Sequence, residues 1–330
     1  MNKTFLSLVI ISIITINFSF AFQTSKAKRF AKTITEKELS EHLYTYASDE
    51  FEGRDTGAPG QKKAVEYIRN YYKSIGIEPG DLEGDYFQEM TLTMRGRRGQ
   101  KPKTVETENV IAIIKGSEKP DEYVIITAHL DHVGITDGEI YNGADDDGSG
   151  TVALLEIAEA FKKAADKGKG PKRSVVFLHV TGEEKGLLGS AYYTDNPVYP
   201  LANTVVNLNV DMIGRIDPTR REKNRDYIYL IGSDHDSVDL HNLSEQTNTE
   251  SVNMTLDYRF NDKNDPNRFY YRSDHYNFAK NGIPIIFYFT GTHADYHQPS
   301  DTPDKIEYDL LEMRSRLIFY TAWNIANRDK

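Results

Sequence analysis

Residues 122–132 read EYVIITAHLDH. An apolar, β-branched run from Tyr123 to Ala128 stops abruptly at His129, Asp131 and His132. Short apolar runs of this kind read as strands buried on both faces. Next come GADDDGSG (143–150) and TVALLEIAEAFKKAADKG (151–168), the second with the apolar stripe and terminal glycine of a helix. Asp145, Asp146 and Asp147 therefore sit between a buried strand and a buried helix. Adjacent carboxylates repel one another, and burial also strips their hydration. Something positive must offset both effects.

The same alternation extends along the chain. ITEKELSEHLYTYAS (34–48) and GQKKAVEYIRNYYKSIG (60–76) have helical spacing, separated by the glycine-rich loop DEFEGRDTGAPG. Strand-like runs occupy 86–94, 109–116, 174–182, 204–214, 226–232 and 283–291, and a closing helix is expected over 304–328. Residues 257–272 lack any period and read as a long loop, where function tends to reside. With no internal repeat and no low-complexity linker, the pattern predicts one α/β domain over 23–330. Its central sheet should be mixed, mostly parallel and covered by helices on both faces.

The 330 residues are 38% hydrophobic, enough for a sizeable core. Residues 1–22 differ from the rest. Lys3, the apolar run TFLSLVIISIITINFSFAF and the small residues at Ser19 and Ala21 read as a secretory signal cut near Ala21. The alternative is a retained single-span anchor; no later segment is apolar for long enough to span. This predicts an exported chain, periplasmic or extracellular, with no membrane span once the signal is removed. There is no Cys, which excludes disulfides, thiol nucleophiles and thiolate metal ligands. A net charge of −10 argues against a nucleic-acid partner, and the basic run RGRRGQKPK (95–103) reads as a solvated hairpin tip.

The informative pattern lies at the strand ends. ITAHLDH supplies His129, Asp131 and His132, VTGEE supplies Glu183 and Glu184, LNVDMIG supplies Asp211, and THADYHQPSDT supplies His293, Asp295, His297 and Asp301. In open α/β sheets such ends converge on one crevice. Each group alone has a plainer explanation: a structural histidine, carboxylates opening a helix, a surface turn. Together, four strand ends offering only oxygen and imidazole suit zinc or a similar divalent ion. Cations there would also balance the three aspartates.

The ordered set AHLDH, GADDDGSG, TGEEKGLLGS, NVDMIG and DYHQPSDT resembles the dizinc aminopeptidases of metallopeptidase family 28. The resemblance extends upstream to EGRDTGAPG and through RSDHYNFAKNGIPIIF, nearly the whole mature chain. It implies a zinc-exopeptidase architecture and two zinc ions per chain. His129 and Asp211 would hold one, Glu184 and His297 the other, and Asp146 would bridge them. Asp131 would accept a hydrogen bond from the His129 ring, and Asp145 and Asp147 would shape the turn. Glu183 would be the general base for a water between the zincs, and Tyr296 would polarise the scissile carbonyl. Glu183 and Asp211 would bind the substrate's free α-amine, so the implied partners are peptides with a free N-terminus, acted on by a monomer.

The resemblance gives His132, His293, Asp295 and Asp301 no direct role on the metals. Ser273, Asp274 and His275 of RSDH are too close in sequence to form a nucleophilic triad; Arg272, Asp274 and His275 are expected to support the ligands or line the pocket. Phe260, Phe269, Tyr270 and Tyr271 could wall that pocket or pack the base of their own loop. The short segment between 86–94 and 109–116 implies that the lid domain some relatives insert there is missing. Two other readings share the fold: a glutaminyl cyclase with one zinc, and a binding relative without catalysis. The full ligand set and Glu183 favour the dinuclear peptidase.

Overall fold

The computed structural model describes residues 26–81, 84–94 and 102–329. Residues 1–22, read above as an export signal, and 95–101, most of the basic run, lie outside the described residues. In chain order the principal elements are α1 (Glu36–Tyr46), α2 (Pro59–Ser74), β1 (Glu78–Pro79), β2 (Phe87–Met94), β3 (Lys103–Ile114), β4 (Lys119–His129), β5 (Gly134–Thr136) and β6 (Glu139–Tyr141). They continue with α3 (Gly150–Ala165), β7 (Arg173–Val180), α4 (Leu188–Asp195), β8 (Thr204–Val210), β9 (Tyr227–Ile231), α5 (Val238–Glu250), β10 (Thr255–Asp257), α6 (His275–Ala279), β11 (Ile285–Phe289) and α7 (Tyr308–Asn327).

Among the described residues, nine strands form one mixed sheet in the order β1-β3-β7-β4-β8-β11-β9-β10, with β2 paired to β3. The centre, β7-β4-β8-β11, is parallel. β3 joins β7, and β9 joins β11, in antiparallel fashion. Successive side chains of a strand face opposite sides, and β4 shows why both faces are apolar. Val124, Ile126 and Ala128 enter a core shared with α1, α2, α3, α5 and α7. Tyr123 and Ile125 enter a second core, on the face that carries α4 and α6. Each fully buried aliphatic side chain here stabilises the fold by roughly 1.5–3 kcal/mol over exposure. The parallel strands are thereby held rigid, and their C-terminal ends share one edge.

Differences from the sequence expectation have local causes. β3 begins at Lys103 rather than 109, pairing from Phe87↔Val110 to Met94↔Lys103. Its first half alternates between exposed and buried residues, so it lacks the apolar run that marks the second half. α5 was not expected, because within it only Leu240 and Leu243 are buried apolar residues. Its start is fixed instead by Ser237, whose hydroxyl accepts a hydrogen bond from the Leu240 amide at 3.1 Å. β10 forms at the edge of the 257–272 loop. Among the described residues, no helix is long and apolar enough to cross a membrane.

Candidate active site

The aspartate turn occupies the strand-end edge between β4 and α3, and its three carboxylates diverge. Asp145 accepts from the Gly214 amide at 2.6 Å and faces His293 Nε2 at 3.1 Å. Asp147 accepts from the amides of His129, Gly150 and Met212 at 3.1, 2.9 and 3.1 Å, tying together the ends of β4, α3 and β8. Burial holds its carboxyl well above the usual range. Asp301 accepts from the amides of Asp145 and Asp146 and fixes the turn from the opposite side. Only Asp146 is left facing the crevice.

Two groups of ligand atoms converge on it. His129, Asp146 and Asp211 form the first, with His129 Nε2 3.1 Å from Asp146 Oδ1 and 3.6 Å from Asp211 Oδ1. His132, Asp146 and Glu184 form the second, and His297 Nε2 stands beside it, 3.0 Å from Asp146 Oδ2 and 3.1 Å from Glu184 Oε1. Of the five ligands expected from the sequence, His129, Asp146, Asp211 and Glu184 fall in these groups, with Asp146 common to both, and His297 lies against the Asp146 and Glu184 oxygens. His132, which was expected to have no direct role, also lies in the second group.

These donors fit divalent cations. Asp146 Oδ2 and Glu184 Oε1 are buried with no hydrogen-bond partner, an expense a protein rarely tolerates without a cation. Burial pushes His129 and His297 down, yet the surrounding carboxylates hold His129 well above its usual value and His297 up to about 10.

The supports differ from expectation at one atom. His129 Nδ1 pairs with the Asp131 backbone carbonyl at 3.0 Å, while the nearer Asp131 carboxylate oxygen stands 3.9 Å away. That carboxylate accepts from Thr56 Oγ1 at 2.8 Å and from the Glu183 amide at 3.1 Å. Asp131 thus orients the base candidate as well as the ligand. Asp211 is oriented by Ser273, whose hydroxyl donates to Oδ2 at 2.6 Å and accepts from Asn209 at 2.8 Å. Ser273 was unassigned in the sequence, although RSDH marked its neighbourhood. Asp274 accepts from Ser190, and His275 stacks on Phe287, so both support the pocket from behind.

A cleft lined by the carboxylates of Asp146, Glu183 and Asp211 and by the apolar side chains of Met212, Phe269, Phe287 and Phe289 adjoins the two groups. Arg272 and Tyr296 also line it. Of the four loop aromatics considered, only Phe269 lines the cleft. Phe260 packs on Phe269, and Tyr270 and Tyr271 pack on each other and on Tyr276. Burial, reinforced by Glu184, Asp274 and Asp211, holds the Glu183 carboxyl well above its usual value despite His129 nearby. Burial and the charges of Asp146 and Glu184 likewise raise the Tyr296 phenol, which stays a proton donor at any working pH. Its loop is anchored by Asp295, paired to Arg215 at 3.1 Å and Lys305 at 2.7 Å.

The sequence profile of peptidase family M28 matches residues 109–322 of the 330. The chain belongs to peptidase family M28. It is 27% identical over 264 residues to a probable zinc metalloprotease of Leptosphaeria maculans, covering 71% of this chain and 58% of that protein. It is 26% identical over 268 residues to aminopeptidase YwaD of Bacillus subtilis, covering 78% and 52%. The chain spans about half the length of the curated relatives it matches. Among solved structures, an aminopeptidase from Aneurinibacillus sp. strain AM-1 superposes with a TM-score of 0.70 at 18% identity, covering 92% of this chain and 97% of that one. A Porphyromonas gingivalis glutaminyl cyclase gives 0.66 at 18%, covering 87% and 97%. At such identities the likeness establishes the M28 fold.

The raised imidazoles yield a prediction. Zinc needs neutral nitrogen, so zinc bound through His129 and His297 would displace protons from them. Zinc affinity should therefore weaken as pH falls, since protons compete better for the same nitrogens. Calorimetric titration in buffers of different ionisation enthalpy at pH 7 should show net proton release; buffer-independent heats would contradict it.

Proposed function

We propose that the chain is an aminopeptidase that binds two zinc ions and removes N-terminal residues from peptides. The observation that carries this reading is the convergence of two buried, partly unsatisfied ligand groups on Asp146, beside a cleft lined by both carboxylates and aromatic rings. His129 and Asp211 would hold one ion, Glu184 and His297 the other, and Asp146 both. When bound, the zincs would polarise the scissile carbonyl and acidify a water.

The chain's own groups supply the rest. Glu183 takes the proton of the attacking water and passes it to the departing amine. Its raised affinity for a proton suits that task, and neighbouring cations would favour the ionised form that takes the proton. The neutral phenol of Tyr296 donates to the oxygen that gains charge. Glu183 and Asp211 attract the α-ammonium, while Phe269, Phe287 and Phe289 receive an apolar first side chain. The signal read in residues 1–22 supports export, and the enzyme is proposed to act as a monomer on peptides outside the cytoplasm.

The test is metal content per chain combined with hydrolysis of aminoacyl anilides, before and after chelation. We expect two equivalents of zinc, chelator-sensitive release from unblocked substrates with apolar side chains, and none from N-acetylated ones. One equivalent, with cyclisation of N-terminal glutamine and no anilide release, would replace this reading with the cyclase. No turnover of either kind would leave a binding protein.

A further inference from the structure

His132 is fully buried, and its Nδ1 lies 2.9 Å from Glu184 Oε1 and 3.7 Å from Asp146 Oδ2. At such distances a histidine and a carboxylate normally share a hydrogen bond. Here the approach is poorly aligned for one: Nδ1, Asp146 Oδ2 and Glu184 Oε1 each lack a well-aligned hydrogen-bond partner. Ligand atoms that each bind one ion at about 2.1 Å in a tetrahedral shell stand roughly 3.4 Å from one another. The separations from His132, like those of His297 to the same two oxygens, scatter around that value. Close approach without well-aligned mutual hydrogen bonding is what donors show when they are placed for a common cation.

The ring has little freedom to be anywhere else. A Cβ on Gly143 would sit 2.5 Å from two of its carbons, so the imidazole lies flat against that glycine, whose φ is +54°. The His297 ring meets it edge-on, with centroids 5.6 Å apart. The His132 amide donates to the Arg54 carbonyl. Its Nε2 has no partner among the described residues, so packing and not a hydrogen bond sets its orientation.

Building on the two-zinc reading, we propose that His132 is a further protein ligand of the metal held by Glu184 and His297. That site then has four protein ligands, His132, Asp146, Glu184 and His297. The other has three, His129, Asp146 and Asp211. A zinc site saturated by protein is the structural kind, whereas one with an open position is available to substrate or water. The two ions are therefore unequal. The one beside His132 binds more tightly and leaves more slowly, and the one beside His129 is the ion that a chelator removes first.

The test compares full-length chain with His132→Ala and His132→Asn, the second retaining more of the side-chain volume against Gly143. Zinc equivalents are counted by elemental analysis after equilibration in graded zinc–chelator buffers, and the visible absorption of the cobalt(II)-loaded form reports coordination number. Metal-free melting curves check that each variant folds. Wild type should release its zinc in two separated steps. Both variants should lose affinity for the tighter equivalent by more than about a hundredfold, beyond what loss of a merely supporting partner costs, with the weaker equivalent unchanged and the cobalt spectrum altered. Variants that retain both equivalents with wild-type affinity and spectrum would overturn the ligand assignment. So would equal weakening of both ions, which would mean that His132 only shapes the turn. Failure of wild type itself to take up two equivalents would overturn the two-zinc reading, and this inference with it.

Discussion

Glu183→Gln should lower kcat on an unblocked aminoacyl anilide by about two to four orders of magnitude, the range a positioned acid–base group supplies. Zinc content should be unchanged. The amide matches the carboxylate in shape but cannot accept a proton from water. The Glu183 backbone amide, held by Asp131 Oδ1 at 3.1 Å, does not depend on the side chain, so the strand-end loop should keep its course. Glu183 lies beside the ligand groups without belonging to either, which is why metal content and turnover should separate. Steady-state kinetics with parallel elemental analysis decides the matter. A variant that keeps both its zinc and its turnover would remove Glu183 as the base, whereas loss of zinc would make it a ligand.

The sequence carried the sheet and most of the site for one physical reason. The central strands are buried on both faces, so they appear as uninterrupted apolar runs, and each run stops where the ligands begin. His129, Glu184 and Asp211 could be placed on one edge from that fact alone. What the sequence could not carry was direction. Asp131 stands next to its partners in the chain, but whether its carbonyl or its carboxylate reaches His129 depends on how the loop turns after β4. His132 is harder still. Its ring points at Glu184 because it is pressed against Gly143, eleven positions further on, and no spacing rule links the two. Ser273, His293 and Asp301 act through long-range hydrogen bonds of the same kind. α5 was missed because so few of its residues are apolar and buried, and β3 was shortened because its outer half shows only alternate burial.

Arg54→Ala should destabilise the metal-free fold by about 3–5 kcal/mol, among the largest effects a single substitution produces. Arg54 comes from the glycine-rich loop EGRDTGAPG, is completely buried, and has its guanidinium over the Tyr46 ring at 4.6 Å. It donates to four carbonyls: Leu130 at 3.1 Å, Tyr46 at 3.2 Å, Asn142 at 2.7 Å and Gly143 at 2.9 Å. Leu130 follows the end of β4, and Gly143 opens the aspartate turn, so one side chain joins the segment bearing His129 to the segment bearing Asp146. Alanine would leave buried carbonyls short of a charged donor, each loss costing about 1–3 kcal/mol before relaxation, and would open a cavity beside the turn. Arg54→Lys should fall between wild type and alanine, because one ammonium cannot reproduce a planar fork that reaches four acceptors. Urea unfolding of the metal-free chain measures the stability loss. Zinc titration of the same variants should show both equivalents weakened, because the two ligand groups meet at Asp146 and Arg54 fixes where that turn begins. An alanine variant within about 1 kcal/mol of wild type would mean that the turn is held by Asp147 and Asp301 alone, with the buried guanidinium dispensable.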